Sequence, residues 1–191
     1  FENQPGDGHY TVTVTVTDEH AAAASQSFDW TVTNTNRAPT LAAIGPQGPT
    51  AEGAAFSGLS ASGSDLDTED ALTYSISGQP ATIVIAPSTG AISGTIGYAA
   101  FENQPGDGHY TVTVTVTDEH AAAASQSFDW TVTNTNRAPS LAEISNQSGA
   151  EGAGVSLATS GSDLDPEDIA TLAYSISGQP ADLSINSSTG L

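Results

Sequence analysis

The sequence predicts an all-β protein built from tandem antiparallel β-sandwich domains. Two observations predict this class: short runs in which apolar and polar residues alternate, and a long internal repeat. Residues 1–39 recur without a change as residues 101–139, a period of 100 residues. That period is too long for one turn of a solenoid, so each repeat is expected to be a complete domain.

The domain boundaries follow from the point where the alternation stops. It stops at Thr33–Pro39, a polar stretch that ends in a proline, which cannot donate to a strand ladder. Residues 1–39 are therefore expected to be the C-terminal part of one repeat, 40–139 a complete repeat, and 140–191 the N-terminal part of the next. Because the chain lacks an initial Met and a visible signal peptide, we expect it to be a piece of a longer protein.

Strands of the complete repeat are expected over 72–76, 83–85, 92–96, 110–117 and 128–132. In 110–117 the alternation is strict, so Tyr110 and three valines share one face and the threonines share the other. Trp130 occupies an apolar position of the next strand and is expected to lie between the sheets. The alanine run 121–124 is too short for a stable helix and is interpreted as a hairpin connection.

Charge and composition exclude several function classes. The chain has 22 Asp and Glu residues against two cations, Arg37 and Arg137, which gives a net charge of −20. No basic patch for nucleic acid or an anionic membrane can be assembled, and no apolar run is long enough for membrane insertion. The absence of Cys excludes disulfides, thiolate metal sites and a Cys nucleophile. Asp118-Glu119-His120 offers one imidazole, which is more typical of a loop residue than of a transition-metal site.

Five motifs in order carry a family resemblance. They are Ala51-Glu52-Gly53 in the first strand, residues 64–74, 87–95 and 110–118, and the linker 134–139. Together they resemble the bacterial cadherin-like and immunoglobulin-like tandem repeats of large secreted surface proteins. The resemblance implies a seven-stranded sandwich in head-to-tail arrays, exported by Gram-negative bacteria and located outside the cell or on its surface, with Ca²⁺ between domains.

Carboxylates are expected to gather at the junctions between repeats. Ca²⁺ prefers six to eight oxygen ligands, and the two Asp-Leu-Asp loops and Asp118 should face the linkers 34–39 and 134–139. The cadherin resemblance adds Glu52 and Glu102 at the second junction. The candidate ligands are Asn34, Asn36, Glu52, Asp65, Asp67, Glu102, Asp118, Asn134, Asn136, Asp163 and Asp165.

Two alternatives to calcium stay open. Asp residues are common in turns because they cap their own backbone, and an acidic surface keeps an exported protein soluble. Arg37 and Arg137 occupy linker positions where cadherins have an acidic residue, so each could pair with an Asp and take the place of the metal.

The function predicted from the sequence is that of a non-enzymatic structural repeat in an extracellular bacterial adhesin or surface filament. Its expected partners are neighbouring repeats or copies of itself, head to tail, and surface glycans. The alternative is a carbohydrate-binding module of a secreted polysaccharide-degrading system. The two terminal parts each carry half a core, so they are expected either to continue an array or to pair between chains.

Overall fold

The computed structural model describes residues 8–102 and 108–191, and nearly all of their regular structure is β. A single helical turn, α1 (Pro166–Ile169), follows the second Asp-Leu-Asp loop. The strands in chain order are β1 (His9–Thr17), β2 (Ala23–Thr31), β3 (Thr40–Leu41), β4 (Gln47–Ala51), β5 (Ala55–Ser60), β6 (Gly63–Ser64), β7 (Thr73–Ser77), β8 (Val84–Ile85), β9 (Ala91–Thr95), β10 (His109–Thr117), β11 (Ala123–Thr133), β12 (Ser140–Leu141) and β13 (Gly161–Ser162).

Residues 40–133, called here the middle unit, form a sandwich of two main sheets. One sheet has four strands in the order β4-β11-β10-β7, the other has three in the order β5-β9-β8, and β3 pairs with β6 beside them. Pairing is antiparallel except between β4 and β11, which run parallel. The predicted β-sandwich is confirmed, with this one parallel pair as the difference.

The core lies where the two main sheets face each other. Val112, Val114 and Val116 of β10 are completely buried, as their alternation with threonine predicts. Trp130 of β11 is 0% exposed and packs on Phe56 of β5, with ring centroids 4.3 Å apart. Its indole Nε1 donates to Thr50 Oγ1 at 3.1 Å, so the one polar atom of the ring is satisfied.

Three details differ from the sequence-based expectation. The hairpin turn lies earlier in the chain than 121–124: it closes between Asp118 and Ala122, and Ala123 already belongs to β11. Glu52 and Gly53 lie in a turn after the second strand of the unit, β4, rather than within the first strand. The third difference is the helical turn α1 in a chain whose pattern is otherwise β. The Pro at its first position favours this turn because the φ of Pro is fixed and Pro lacks an N–H.

The two terminal parts contain less regular structure than the middle unit. β1 and β2 form a separate two-stranded hairpin, called here the N-terminal hairpin. Residues 140–191, the C-terminal unit, contain only the β12–β13 pair and α1. Within the described ranges, no helix has the length and apolar character required to cross a membrane.

Candidate functional site

The first junction lies where the linker 34–39 meets the loop that carries Asp65 and Asp67. Asp67 is 1% exposed and accepts a hydrogen bond from the backbone N–H of Arg37 at 2.7 Å as well as one from its guanidinium. The loop is fixed locally because Asp65 Oδ1 accepts from the N–H of Asp67 at 2.9 Å. The predicted pairing of a linker arginine with an Asp of this loop is therefore present.

Asp118 joins the same junction from the β10–β11 turn. Its Oδ1 accepts from the N–H groups of His120 and Ala122 at 2.9 and 2.8 Å, and its Oδ2 accepts from Asn36 Nδ2 at 3.0 Å. Desolvation alone would raise the pKa of Asp118, but these hydrogen bonds, led by the one from Asn36, outweigh it and lower the pKa. The carboxylate is thereby held in its charged form beside the linker.

Three carboxylates converge at this junction. One oxygen from each of Asp65, Asp70 and Asp118 lies within 4.8 Å of the others. Asp65 Oδ2 is buried and has no hydrogen-bond partner, whereas Asp70 Oδ2 lies 3.4 Å from His120 Nδ1. An unpartnered carboxylate oxygen within a carboxylate group fits the oxygen-rich shell that Ca²⁺ requires.

The second junction lies between the middle unit and the C-terminal unit and is centred on Arg137. The backbone N–H and the guanidinium of Arg137 both donate to Asp165, which is completely buried. Arg137 Nη2 also donates to the backbone carbonyl of Glu52 at 2.8 Å, and the guanidinium lies 4.1 Å from the centre of the Tyr98 ring. One cation therefore contacts both units at once.

The turn that carries Glu52 is shaped to admit this arginine. Gly53 has φ +74°, and a Cβ at this position would lie 2.6 Å from the Tyr98 ring and 2.8 Å from Arg137 Nη2. A side chain would therefore be strained by the backbone and would also displace the guanidinium.

Arg37 and Arg137 occupy identical sequences, yet their surroundings differ. The Arg137 side chain is 20% exposed and the Arg37 side chain is 56% exposed. Both pair with an Asp of the following loop, and among the residues that the structure describes Arg137 also contacts a preceding sandwich, at Glu52 and Tyr98. The contact between units, rather than the linker sequence, accounts for the greater burial of Arg137.

Further carboxylates surround Arg137. Glu52 is 3% exposed; its Oε1 accepts from the N–H of Phe101 at 2.9 Å, whereas its Oε2 is buried without a hydrogen-bond partner, as is Glu167 Oε2. Asn134 Nδ2 donates to Glu167 Oε1 at 3.0 Å. Desolvation raises the pKa of Glu102, and the negative charges of Glu52 and Glu167 raise it further.

The predicted ligands divide into those that the structure brings together and those that it does not. Asn36, Asp65, Asp67 and Asp118 meet at the first junction, and Glu52, Glu102, Asn134, Asp163 and Asp165 meet at the second. Asn34 and Asn136 are exposed in their linkers. Asp163 lies in the loop that Asp165 shares, where its Oδ1 accepts from the N–H of Asp165 at 3.0 Å.

Sequence reasoning missed Asp70, Glu167 and Tyr98. Asp70 and Glu167 belong to acidic runs directly after the two Asp-Leu-Asp motifs, so a wider window would have included them. Desolvation, followed by the charges of Glu167, Asp163 and Asp165, raises the pKa of Asp168 in the second of these runs. Nothing in the local pattern around Tyr98 signals that its ring lies under a guanidinium.

Comparisons with known proteins give a family match over the middle unit and similarity to solved extracellular domains. A family model described as putative Ig domain (He_PIG) matches residues 38–133. A comparison with curated protein sequences gives no match. Among solved structures, the protocadherin GammaB4 extracellular domain is 18% identical with a TM-score of 0.49 and covers 96% of this chain and 34% of that one. Human CDH23 EC21-23 is 18% identical with a TM-score of 0.48 and covers 96% of this chain and 65% of that one.

The family match and the observed architecture cover the same residues. Residues 38–133 include β3 to β11 and both main sheets of the sandwich. This chain is a member of the putative Ig domain family.

Proposed function

We propose that this chain is a structural segment of an extracellular bacterial surface protein or adhesin, in which Ig-like repeats form an extended, stiffened array. The observation that carries the proposal is the position of Arg137, whose guanidinium contacts Glu52 and Tyr98 of one unit and Asp165 of the next. A chain whose task is mechanical needs junctions that resist bending. The Arg137 guanidinium, which pairs with buried Asp165 and also bonds the Glu52 carbonyl, supplies that resistance.

The surface of the middle unit supports a structural role. The outward face of β10 and β11 carries hydroxyl pairs, Thr113 with Ser127 and Thr115 with Ser125, each at 2.8 Å. Such a polar face, which also carries Asp129, keeps repeats soluble at high local concentration in a chain of net charge −20. Negatively charged repeats in series would then repel one another side by side, which favours an end-to-end arrangement.

Calcium is the ion that would complete the junctions. Asp65, Asp70 and Asp118 would hold it at the first junction, where one buried carboxylate oxygen has no partner. At the second junction the buried, unpartnered oxygens of Glu52 and Glu167 have the matching chemistry. Bound Ca²⁺ would neutralise carboxylate repulsion beside the two arginine pairs, so that arginine and metal act together.

The junction is tested by removing its cation. In Arg137→Gln, buried Asp165 loses its charge partner, so we expect the middle and C-terminal units to move more freely against each other. Small-angle scattering should show a broader distribution of dimensions, and the linker 134–139 should be cleaved faster by protease. Arg37→Gln is the matched control, because within the described ranges the guanidinium of Arg37 pairs with Asp67 of the unit that follows it. Equal behaviour of the two variants would remove the support for a stiffened junction.

Calcium binding is tested by measuring the midpoint of thermal unfolding in EDTA and in millimolar Ca²⁺. With a Kd near 0.1 mM, as in extracellular modules, 1 mM Ca²⁺ would stabilise the fold by about 1.4 kcal/mol, roughly 5–10 °C for a domain of this size. Asp70→Asn should reduce the shift, whereas Asp129→Asn, which removes the same charge from the exposed outer row, should keep it. If Ca²⁺ does not shift the midpoint and calorimetry detects no binding, the arginine pairs alone would stabilise the junctions.

A further inference from the structure

The turn between β10 and β11 carries metal-ligating side chains beside the three carboxylates of the first junction. Glu119 and His120 lie in this turn, and by sequence alone they offer one carboxylate and one imidazole. The structure adds Asp70, which lies 50 positions from His120 in the chain. One ligand atom from each of the three side chains lies within 4.8 Å of the others. Donors of two chemical kinds, oxygen and nitrogen, therefore meet at one place.

Asp70 is the buried member of this group. Its side chain is only 5% exposed, and its Oδ2 lies 3.4 Å from His120 Nδ1, which is longer than the about 2.7–3.2 Å of an ordinary N–H···O hydrogen bond. Among the described residues, the arginine of this junction, Arg37, pairs with Asp67 instead. Since buried charges are normally paired or bound to a metal, a cation next to Asp70 would compensate its charge.

The other two members of the group are exposed and can adjust to an ion. Glu119 lies on the surface and the His120 side chain is 52% exposed. The backbone beneath them is fixed, because Asp118 Oδ1 accepts from the N–H groups of His120 and Ala122 at 2.9 and 2.8 Å. Ligands of a tetrahedral ion with bonds of about 2.0–2.2 Å lie about 3.4 Å apart. Small side-chain rotations would therefore bring the three atoms from within 4.8 Å to this spacing.

The ligand types indicate which ion fits. Ca²⁺ takes six to eight oxygen ligands, which the carboxylate group of Asp65, Asp70 and Asp118 can begin to supply. An imidazole nitrogen instead favours Zn²⁺ and other first-row transition metals. Three protein ligands, with water in the remaining position, are a common arrangement for Zn²⁺. His120 thus distinguishes this group chemically from the calcium ligands beside it.

We propose that Asp70, Glu119 and His120 bind a divalent transition-metal ion, with Zn²⁺ as its representative, at the end of the middle unit that faces the linker 34–39. The ion joins the β10–β11 turn to the loop that follows β6, and it places a positive charge next to buried Asp70. This site goes beyond the proposed function, because neither the arginine pairs nor a calcium shell requires an imidazole.

The test titrates Zn²⁺ into the 191-residue chain in metal-free buffer, with calorimetry for the affinity and NMR for the imidazole signals of His120. Zn²⁺ should bind and shift or broaden these signals. His120→Ala should weaken binding by at least the roughly 10–100-fold that loss of an outer-shell partner of a metal site costs. His109→Ala is the matched control, because it removes an exposed imidazole at the opposite end of β10.

The carboxylates are tested by a second pair of variants. Glu119→Gln should weaken Zn²⁺ binding, whereas Glu69→Gln, which removes an exposed charge next to Asp70 in the chain, should leave the affinity unchanged. All four substituted side chains are exposed, so the variants should fold. Shielding of Trp130 from iodide verifies that the middle unit is intact in each of them.

Three results would each overturn the proposed site. They are unchanged His120 signals on addition of Zn²⁺, equal affinities of His120→Ala and His109→Ala, and equal affinities of Glu119→Gln and Glu69→Gln. His120→Ala should leave the response to Ca²⁺ as it is in the unmodified chain, because its imidazole is not part of the carboxylate group. Since the Zn²⁺ titration contains no Ca²⁺, failure of calcium binding or of the arginine junction would not produce any of the three results.

Discussion

Replacing Trp130 by alanine should be among the most damaging single changes in the middle unit. The ring is completely buried, lies 4.3 Å from Phe56, and places its Nε1 3.1 Å from Thr50 Oγ1. Removal of a buried Trp leaves a cavity and costs about 3–5 kcal/mol, and the hydroxyl of Thr50 also loses its partner. Since a domain of this size is stable by only about 5–15 kcal/mol, a large part of its stability would be lost.

The repeat supplies its own control for this prediction. Trp30→Ala changes the same residue in the same local sequence, but Trp30 is 59% exposed, so its cost should be about 0.5 kcal/mol or less. Urea unfolding followed by far-UV circular dichroism, in dilute solution, should show a midpoint lowered by roughly 2–3 M for Trp130→Ala at an m-value of about 1.5 kcal/mol/M. Equal costs for the two variants would refute the assignment of the core face.

Two further predictions concern the junctions. Gly53→Ala should destabilise the protein by roughly 1–3 kcal/mol, measured by thermal unfolding, because the residue has φ +74° and its Cβ would meet Tyr98. Gly152→Ala is the control: with φ +77° and open space around it, this change should cost only the backbone strain. The lowered pKa of Asp118 stabilises the fold above the ordinary Asp pKa, and this contribution is lost as the pH falls through the lowered value. Asp118→Asn should therefore flatten the acid side of the stability profile more than Asp18→Asn does, and an unchanged profile would contradict this.

The strands of the middle unit could be predicted because each carries its own pattern. The alternation of valine and threonine in 110–117 requires one buried and one exposed face, and the structure has both. Turn residues indicated where the strands end, although some observed ends differ from the predicted ones by a few residues. Ala123, for example, belongs to β11 because the turn that begins at Asp118 is already closed at Ala122. The parallel pairing of β4 with β11 carries no local signal, since it joins segments about 80 residues apart.

The junction chemistry could be predicted only in part. Spacing and the repeat brought attention to Asp65, Asp67, Asp118 and the two linker arginines. The structure places Arg37 with these three Asp residues at the first junction and pairs Arg137 with Asp165 at the second. Which partner each carboxylate takes depends on distances across units, and these are set by packing. Tyr98 illustrates the limit: its ring lies under Arg137 because two units meet there, a contact between residues 39 positions apart in the chain.

The sequence by itself determined the repeat, the β class, the faces of the long strands and the acidic character of the junctions, because each of these is written in local pattern or composition. It could not determine whether an apolar face is covered, since two identical hairpins have opposite burial in one molecule. Only the tertiary structure decided that, because burial depends on which distant segment packs on the face. For the same reason Arg137 is more enclosed than Arg37: within the described residues, the identical side chain of Arg137 also packs on Glu52 and Tyr98 of the middle unit.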